Sequence, residues 1–339
     1  MTPSEITVVT SLVDLAKHEG TTRRDSNWYL DRCDGVLSTR HGLVVFTEPE
    51  LVTLMLAKRQ GLAPDAPTLV IGLPFDELPH ARDVASITRA FDAGRRPPTA
   101  SNPLKDTPAY LAFGWSKPGL LALAARENPF RSRAFWWSDI GLFEVARPLP
   151  DQTFDELLDS EKSHLHANVL WETDESEYLG ATEFYSTTPF SKVAGGLFGV
   201  SATHALTFAQ DFALETARCL DTGWPTIDEV ILGVVVDRHR DGASVSYGPW
   251  QSLLSNFSEL REAIWHRLRL LRDCNERGLT ARAAVHLESL ERARVSNHAM
   301  FRDEDLFEID EFRTQFRRRT LSEPVAETSA NSPDSIARQ

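Results

Sequence analysis

Asp139 is the residue whose type and setting point most directly to chemistry. It closes the run Phe135-Trp136-Trp137-Ser138-Asp139-Ile140-Gly141. The three aromatic residues, followed by Ile140 and Leu142, predict a buried strand that carries the carboxylate near its carboxyl end. Open α/β sheets gather their chemistry at that edge. A carboxylate there can hold a divalent metal against a diphosphate, and Gly141 lets the backbone turn away with no side chain in the ligand's path. The plainer alternative is an aspartate that caps the next turn.

Three other groups complete a set suited to group transfer. Lys117 is either a cation for phosphates or a solvated helix lysine. Gly195-Gly196 is either a tight turn or backbone passing close beneath a substrate, where a Cβ would clash. Asp228-Glu229 either cap the apolar segment that follows, since acidic side chains favour a helix N-terminus, or bring a carboxylate to the reacting centre for proton transfer. The chain has no GxGxxG after its first strand, no GxxxxGK[ST], no GxSxG and no HExxH, which removes the main support for a Rossmann dehydrogenase, a P-loop NTPase, an α/β-hydrolase and a zincin. His164-Leu165-His166 puts two imidazoles on one side of a strand, as a metal pair or as an exposed pair.

The elements that must position these residues alternate. Strands are predicted at Ile6 to Val13, Leu43 to Glu48 and Thr68 to Gly72, and helices at Trp28 to Val36 and Glu50 to Arg59. That order implies parallel pairing through crossover helices, hence a doubly wound α/β sheet. Residues 93 to 109 read as a loop. Tyr110 to Arg126 reads as a helix that Pro118 breaks or restarts. His164 to Trp171 and Ala181 to Thr187 read as strand-like or irregular, Ala202 to Thr222 as an amphipathic helix, and Ile231 to Val236 as helix or strand. From Asn256 to about Arg294 the chain is helical and highly charged. Leu321 to Gln339 has the composition of a disordered tail.

Composition narrows the classes. With 339 residues, 42% hydrophobic and 25% charged, the chain has the make-up of an ordinary soluble protein with a sizeable core. Its net charge of −13 argues against a protein that coats nucleic acid, so any phosphate site must be local. Cys33, Cys219 and Cys274 lie far apart with no zinc-ligand spacing, and are expected to be reduced thiols. No apolar run is long enough to span a bilayer, and Met1 to Ile6 has no export-signal pattern. The expected location is the cytoplasm, with membrane contact peripheral at most.

Taken in order, several segments resemble the HtrL/YibB/WlaTC family of bacterial glycosyltransferases. They are Val8 to Leu15 with Arg24 and Tyr29 downstream, Leu43 to Glu48, Lys117, Phe135 to Gly141, Val193 to Gly199, and Asp228-Glu229. The likeness covers about residues 5 to 255. It implies a GT-A-like fold, a mostly parallel sheet flanked by helices, that binds a nucleotide-diphosphate sugar and passes the sugar to a cell-surface glycan or lipid-linked acceptor. On that basis Ser11, Asp14, Arg24, Lys117, Gly195 and Gly196 would hold the nucleotide. Asp139 would hold Mn²⁺ or Mg²⁺, and Asp228 or Glu229, with Asp228 preferred, would be the base. The usual Asp-x-Asp metal motif is absent, because Trp137 and Gly141 flank Asp139; this puts metal dependence in question. The expected organisation is a catalytic domain at 1 to 255, a helical appendage at 256 to 320 and a disordered tail at 321 to 339. Two other readings are a non-catalytic nucleotide- or carbohydrate-binding protein on the same fold, and an interaction protein that docks through its C-terminal helices.

Overall fold

The computed structural model describes residues 4–19, 25–146, 153–160, 163–255, 261–296 and 298–322. Arg24 lies outside the described residues, as does most of the predicted tail. The chain divides into two compact units, Met1–Leu270 and Leu271–Gln339.

The first unit is built on seven strands: β1 (Ile6–Leu12), β2 (Gly42–Thr47), β3 (Thr68–Gly72), β4 (Ala134–Ser138), β5 (Leu165–Val169), β6 (Val193–Ser201) and β7 (Ala243–Tyr247). They form one sheet in the order β3-β2-β1-β4-β6-β5-β7. The pairs β1/β2, β2/β3, β1/β4 and β5/β7 are parallel, whereas β6 runs antiparallel to both β4 and β5. The sheet is thus mostly parallel, as expected. β1, β2 and β4 are buried almost throughout because helices cover both faces. Along β4, Phe135 and Trp137 enter one core with Trp115, Phe208 and Val234, while Trp136 enters the other with Met55, Leu157 and Leu253.

Among the described residues, no helix is long and apolar enough to cross a membrane. The helix that carries Lys117 spans Pro108–Glu127. Thr107 caps its start by accepting the Tyr110 amide, Pro108 occupies the first turn, and Asn128 ends it in the left-handed region with φ 38°. Pro118 does not break it, contrary to the sequence-based expectation. Trp115 and Leu121, on either side of the proline, are fully buried, so tertiary packing outweighs the lost hydrogen bond.

Two other elements differ from expectation, and a third takes one of its two expected forms. The stretch Trp28 to Val36 forms two short helices, Ser26–Leu30 and Asp34–Leu37. Ala181–Thr187 is helical: its Phe184 and Tyr185 rings are buried and the Tyr185 hydroxyl donates to Glu215 of the helix Ala205–Thr222, so packing overrides the β preference of aromatic and threonine residues. Ile231 to Val236 belongs to the helix Asp228–Arg238. In the second unit, the helices Thr280–Ser296 and Asp303–Ser322 carry charge pairs, Arg294 to Asp310 at 2.8 Å and Arg313 to Glu291 at 2.5 Å.

Candidate active site

The parallel strands end at one edge of the sheet, and β6, running the other way, begins there. β1 and β4 pair in the register Val9↔Trp137, so Ser11 and Asp139 each lie two residues further toward that edge. The Asp139 amide donates to the Gly196 carbonyl at 2.8 Å, which ties the end of β4 to the start of β6.

Four of the sequence-predicted residues with ionisable side chains converge there. Lys117 Nζ lies 3.1 Å from Asp139 Oδ1 and 3.0 Å from Asp228 Oδ2, and it donates to the Gly195 carbonyl at 3.2 Å. Glu229 Oε1 accepts the Gly195 amide at 3.2 Å. The Lys117 and Asp228 side chains are nearly closed off, at 6% and 5% exposure, whereas that of Asp139 is 36% exposed. Asp139 is therefore the part of the cluster that is open to solvent.

Packing explains why these residue types stand together. The Trp115 indole donates to the Thr226 carbonyl at 2.9 Å, fastening the Lys117 helix to the chain just before the helix Asp228–Arg238. Neither Asp228 nor Glu229 acts as the N-cap, which is Ile227 with no side-chain bond. Asp228 fits because two glycines leave room for it: a Cβ on Gly195 would stand 2.7 Å from Asp228 Oδ2, and one on Gly114 would stand 3.0 Å from its Cγ. A Cβ on Gly196 would come within 3.0 Å of the Trp250 ring. The two β6 glycines thus accommodate protein side chains.

Charge sets the protonation states. Burial pushes the Lys117 ammonium toward its neutral form, but the charges of Asp139 and Asp228 outweigh it and hold the pKa well above the ordinary value. Burial, reinforced by the neighbouring charge of Asp228, raises the Glu229 carboxyl to about 7, against hydrogen bonds from Ser191 and the Gly195 amide. Burial and the Asp228 charge also raise the Tyr110 phenol well above 10.0, so it stays protonated near the cluster.

Trp137, whose place at the missing acid of the metal motif counted against a metal, has a structural role toward Asp139. Its indole donates to Asp139 Oδ1 at 2.8 Å. It is fully buried, as Phe198 and Trp136 nearly are, so all three rings belong to the core. Among the described residues, no group of three or more His, Cys, Asp or Glu side chains is arranged to hold a metal ion. His166 does not pair with His164 as a metal site; it is buried against Trp136 and within 3.5 Å of Ser246 Oγ. One exposed carboxylate beside an ammonium does not make a closed metal site. The cluster does carry more negative than positive charge, which suits a divalent ion that brings most of its ligands with it as diphosphate and water oxygens.

Ser11 and Asp14 stand in a second group at the same edge. The Asp14 amide donates to Glu48 Oε2 at 3.1 Å, and Glu48 also meets His18 at 3.2 Å and Lys17 at 3.7 Å. The His18 ring stacks on Phe75 with centroids 4.2 Å apart. Thr10 Oγ1, Ser11 Oγ and Asp14 Oδ1 are buried with no hydrogen-bond partner among the described residues. Glu48, Tyr110, Gly114 and Trp250 were not singled out in the sequence as site residues. Glu48 carries the one signal that was available, a carboxylate directly after an apolar strand and before a proline.

No family model matches the chain, and no curated protein matches it. Among solved structures, it is similar to mouse xyloside xylosyltransferase 1 in its apo form, with 9% identity and a TM-score of 0.38 over 72% of this chain and 85% of that one. It is also similar to core-mannan synthase A from Aspergillus fumigatus in its Mn/GDP form, with 8% identity and a TM-score of 0.43 over 71% of this chain and 72% of that one. Likeness at this level is one of chain trace and assigns a role to no residue.

Proposed function

We propose that the protein is a glycosyltransferase that moves a sugar from a nucleoside-diphosphate donor to a glycan or lipid-linked acceptor. The observation that carries this reading is the convergence of Lys117 on Asp139, Asp228 and the Gly195 carbonyl at the chemical edge of a mostly parallel sheet. The resemblance to HtrL/YibB/WlaTC sequences supports it, and the location proposed with it is the cytoplasm, with membrane contact peripheral at most.

In such a transfer the bond from sugar to diphosphate breaks, and negative charge grows on the leaving group. Lys117, fixed by two carboxylates, is a preorganised cation beside that charge. Asp139 faces the diphosphate. A Mn²⁺ or Mg²⁺ ion held between Asp139 and the phosphates would neutralise the leaving group further. Ser11 and Asp14, at and just beyond the end of β1, supply unsatisfied hydrogen-bonding groups that a nucleoside would meet. The acceptor hydroxyl must lose a proton as it attacks. Glu229, with a pKa of about 7, suits that task better than Asp228, which is tied to Lys117; a base poised near the working pH is the efficient one. This reverses the sequence-based preference for Asp228.

The test is a panel of nucleotide sugars, with Mn²⁺ or with a chelator, assayed for binding, hydrolysis and transfer. Turnover of at least one donor is expected, and Asp139→Ala should lower it by about a hundredfold or more, as loss of a group that stabilises transition-state charge does. Full activity in that variant would remove Asp139 from the mechanism. Stabilisation by UDP or GDP with no turnover of any donor would instead assign a binding protein.

A further inference from the structure

We propose that Trp171, Phe190 and Arg269 form an acceptor subsite that takes a sugar ring carrying an anionic substituent, a carboxylate or a phosphate. This rests on the glycosyl-transfer reading above. The three belong to the first unit, and none is part of the charge cluster. Phe190 is 43% exposed, in contrast to the buried aromatic rings of β4. Its ring centroid is 4.6 Å from that of Trp171, with the planes 34° apart. The Arg269 guanidinium lies 4.7 Å from the Trp171 centroid and 5.8 Å from that of Phe190.

The platform is built, and it is attached to the reacting centre. Trp171 follows the end of β5 and Phe190 precedes the start of β6, so both leave the sheet at the chemical edge. The amides of Leu170 and Trp171 donate to the Lys192 carbonyl at 2.9 and 3.1 Å. Lys192 Nζ in turn donates to the Glu172 carbonyl and to Glu177 Oε1, each at 3.3 Å. Its stem fills the space beside Gly233, where a Cβ would stand 2.3 Å from Lys192 Cβ. Lys192 lies directly before β6, and within that strand the Gly195 amide donates to Glu229 Oε1 at 3.2 Å. A ring resting on Phe190 therefore sits at the entry to the strand whose backbone holds the proposed base.

The chemistry of the ligand follows from the two kinds of group. The apolar face of a pyranose packs against an aromatic ring, which explains an exposed phenylalanine kept beside a half-buried tryptophan. Arg269 lies over both rings, and no ion pair joins it to a carboxylate among the described residues. A guanidinium in this position can offer its nitrogens to a carboxylate or phosphate in bidentate fashion.

The experiment is calorimetric titration of the full chain with trigalacturonate, its neutral trimethyl ester and glucose 6-phosphate. Wild type, Phe190→Ala and Arg269→Gln are compared, and UDP and GDP are titrated into each in parallel. Trigalacturonate or glucose 6-phosphate should bind wild type at least about tenfold more tightly than the ester does, and each variant should weaken that binding about tenfold or more. Nucleotide affinity and melting temperature should be unchanged in both variants. Equal binding of acid and ester, wild-type affinity in either variant, or no binding of either anionic saccharide would overturn the subsite while leaving nucleotide binding intact. A wild-type chain that binds neither UDP nor GDP would sink the glycosyl-transfer reading and the subsite with it.

Discussion

At the scale of residues, the division of labour between two adjacent carboxylates is the central point. Asp228 is matched to the Lys117 ammonium, whereas Glu229 faces a backbone amide and Ser191 and holds its proton up to about pH 7. A base is active only when deprotonated, so kcat/KM should fall as the pH drops below about 7, and Glu229→Gln should abolish turnover. The same carboxyl contributes to stability in the opposite sense. Its pKa is raised in the fold from an ordinary 4.5 to about 7, so its contribution is fully present below pH 4.5 and is lost as pH rises through about 7. Glu229→Gln should therefore be more stable than wild type at pH 8, by on the order of 3 kcal/mol, and as stable or less so at pH 4. Melting curves at the two pH values check this; an equal offset at both would show that Glu229 is not held protonated in the fold.

At the scale of elements, the site depends on close approach between β6 and the helices behind it. Every residue of β6 except Ser201 is buried, and Gly195 leaves no slack beside Asp228. Gly195→Ala should displace Asp228, cost roughly 1–3 kcal/mol through overpacking in a rigid sheet, and lower activity at least as much as a direct substitution of Asp228. Chemical denaturation together with an activity assay reads both effects. Unaltered activity at lowered stability would show that the position of Asp228 does not matter to the reaction. The two kinds of information in the sequence separate at this scale. Asp139 was legible because an apolar strand announces itself and the next residue is local to it. The pairing of Lys117 with Asp228 joins residues on two different helices, and only the stacking of both helices on one face of the sheet brings them together. β7, Ala243–Tyr247, left little trace because serines alternate with its apolar residues and it is short. The helix at Ala181–Thr187 was misread because its rings favour strands until a neighbouring helix buries them.

At the scale of the whole molecule, every residue invoked in the mechanism falls within the first compact unit, Met1–Leu270. A chain of residues 1 to 278, which keeps the helix Arg261–Glu276 whole, should bind a nucleoside diphosphate with an affinity within about twofold of the full chain, since an affinity difference that small is well under 1 kcal/mol. Calorimetric titration of the two chains compares them directly. A loss of nucleotide binding with the fold retained would assign the second unit a share in the donor site.

The reversed direction of β6 has a consequence for how such a protein can change. Because β6 begins at the edge where its neighbours end, the stretch from 170 to 192 leaves the sheet and returns to it on the same side. The register of β6 is set deeper in the sheet, by pairs such as Trp137↔Phe198 and Leu165↔Val200. Substitutions and insertions in that stretch can therefore reshape the wall proposed to face the acceptor while β6 keeps its register. On the proposed function, a lineage built on this plan could exchange one acceptor for another by editing that one connection and inherit the donor apparatus intact.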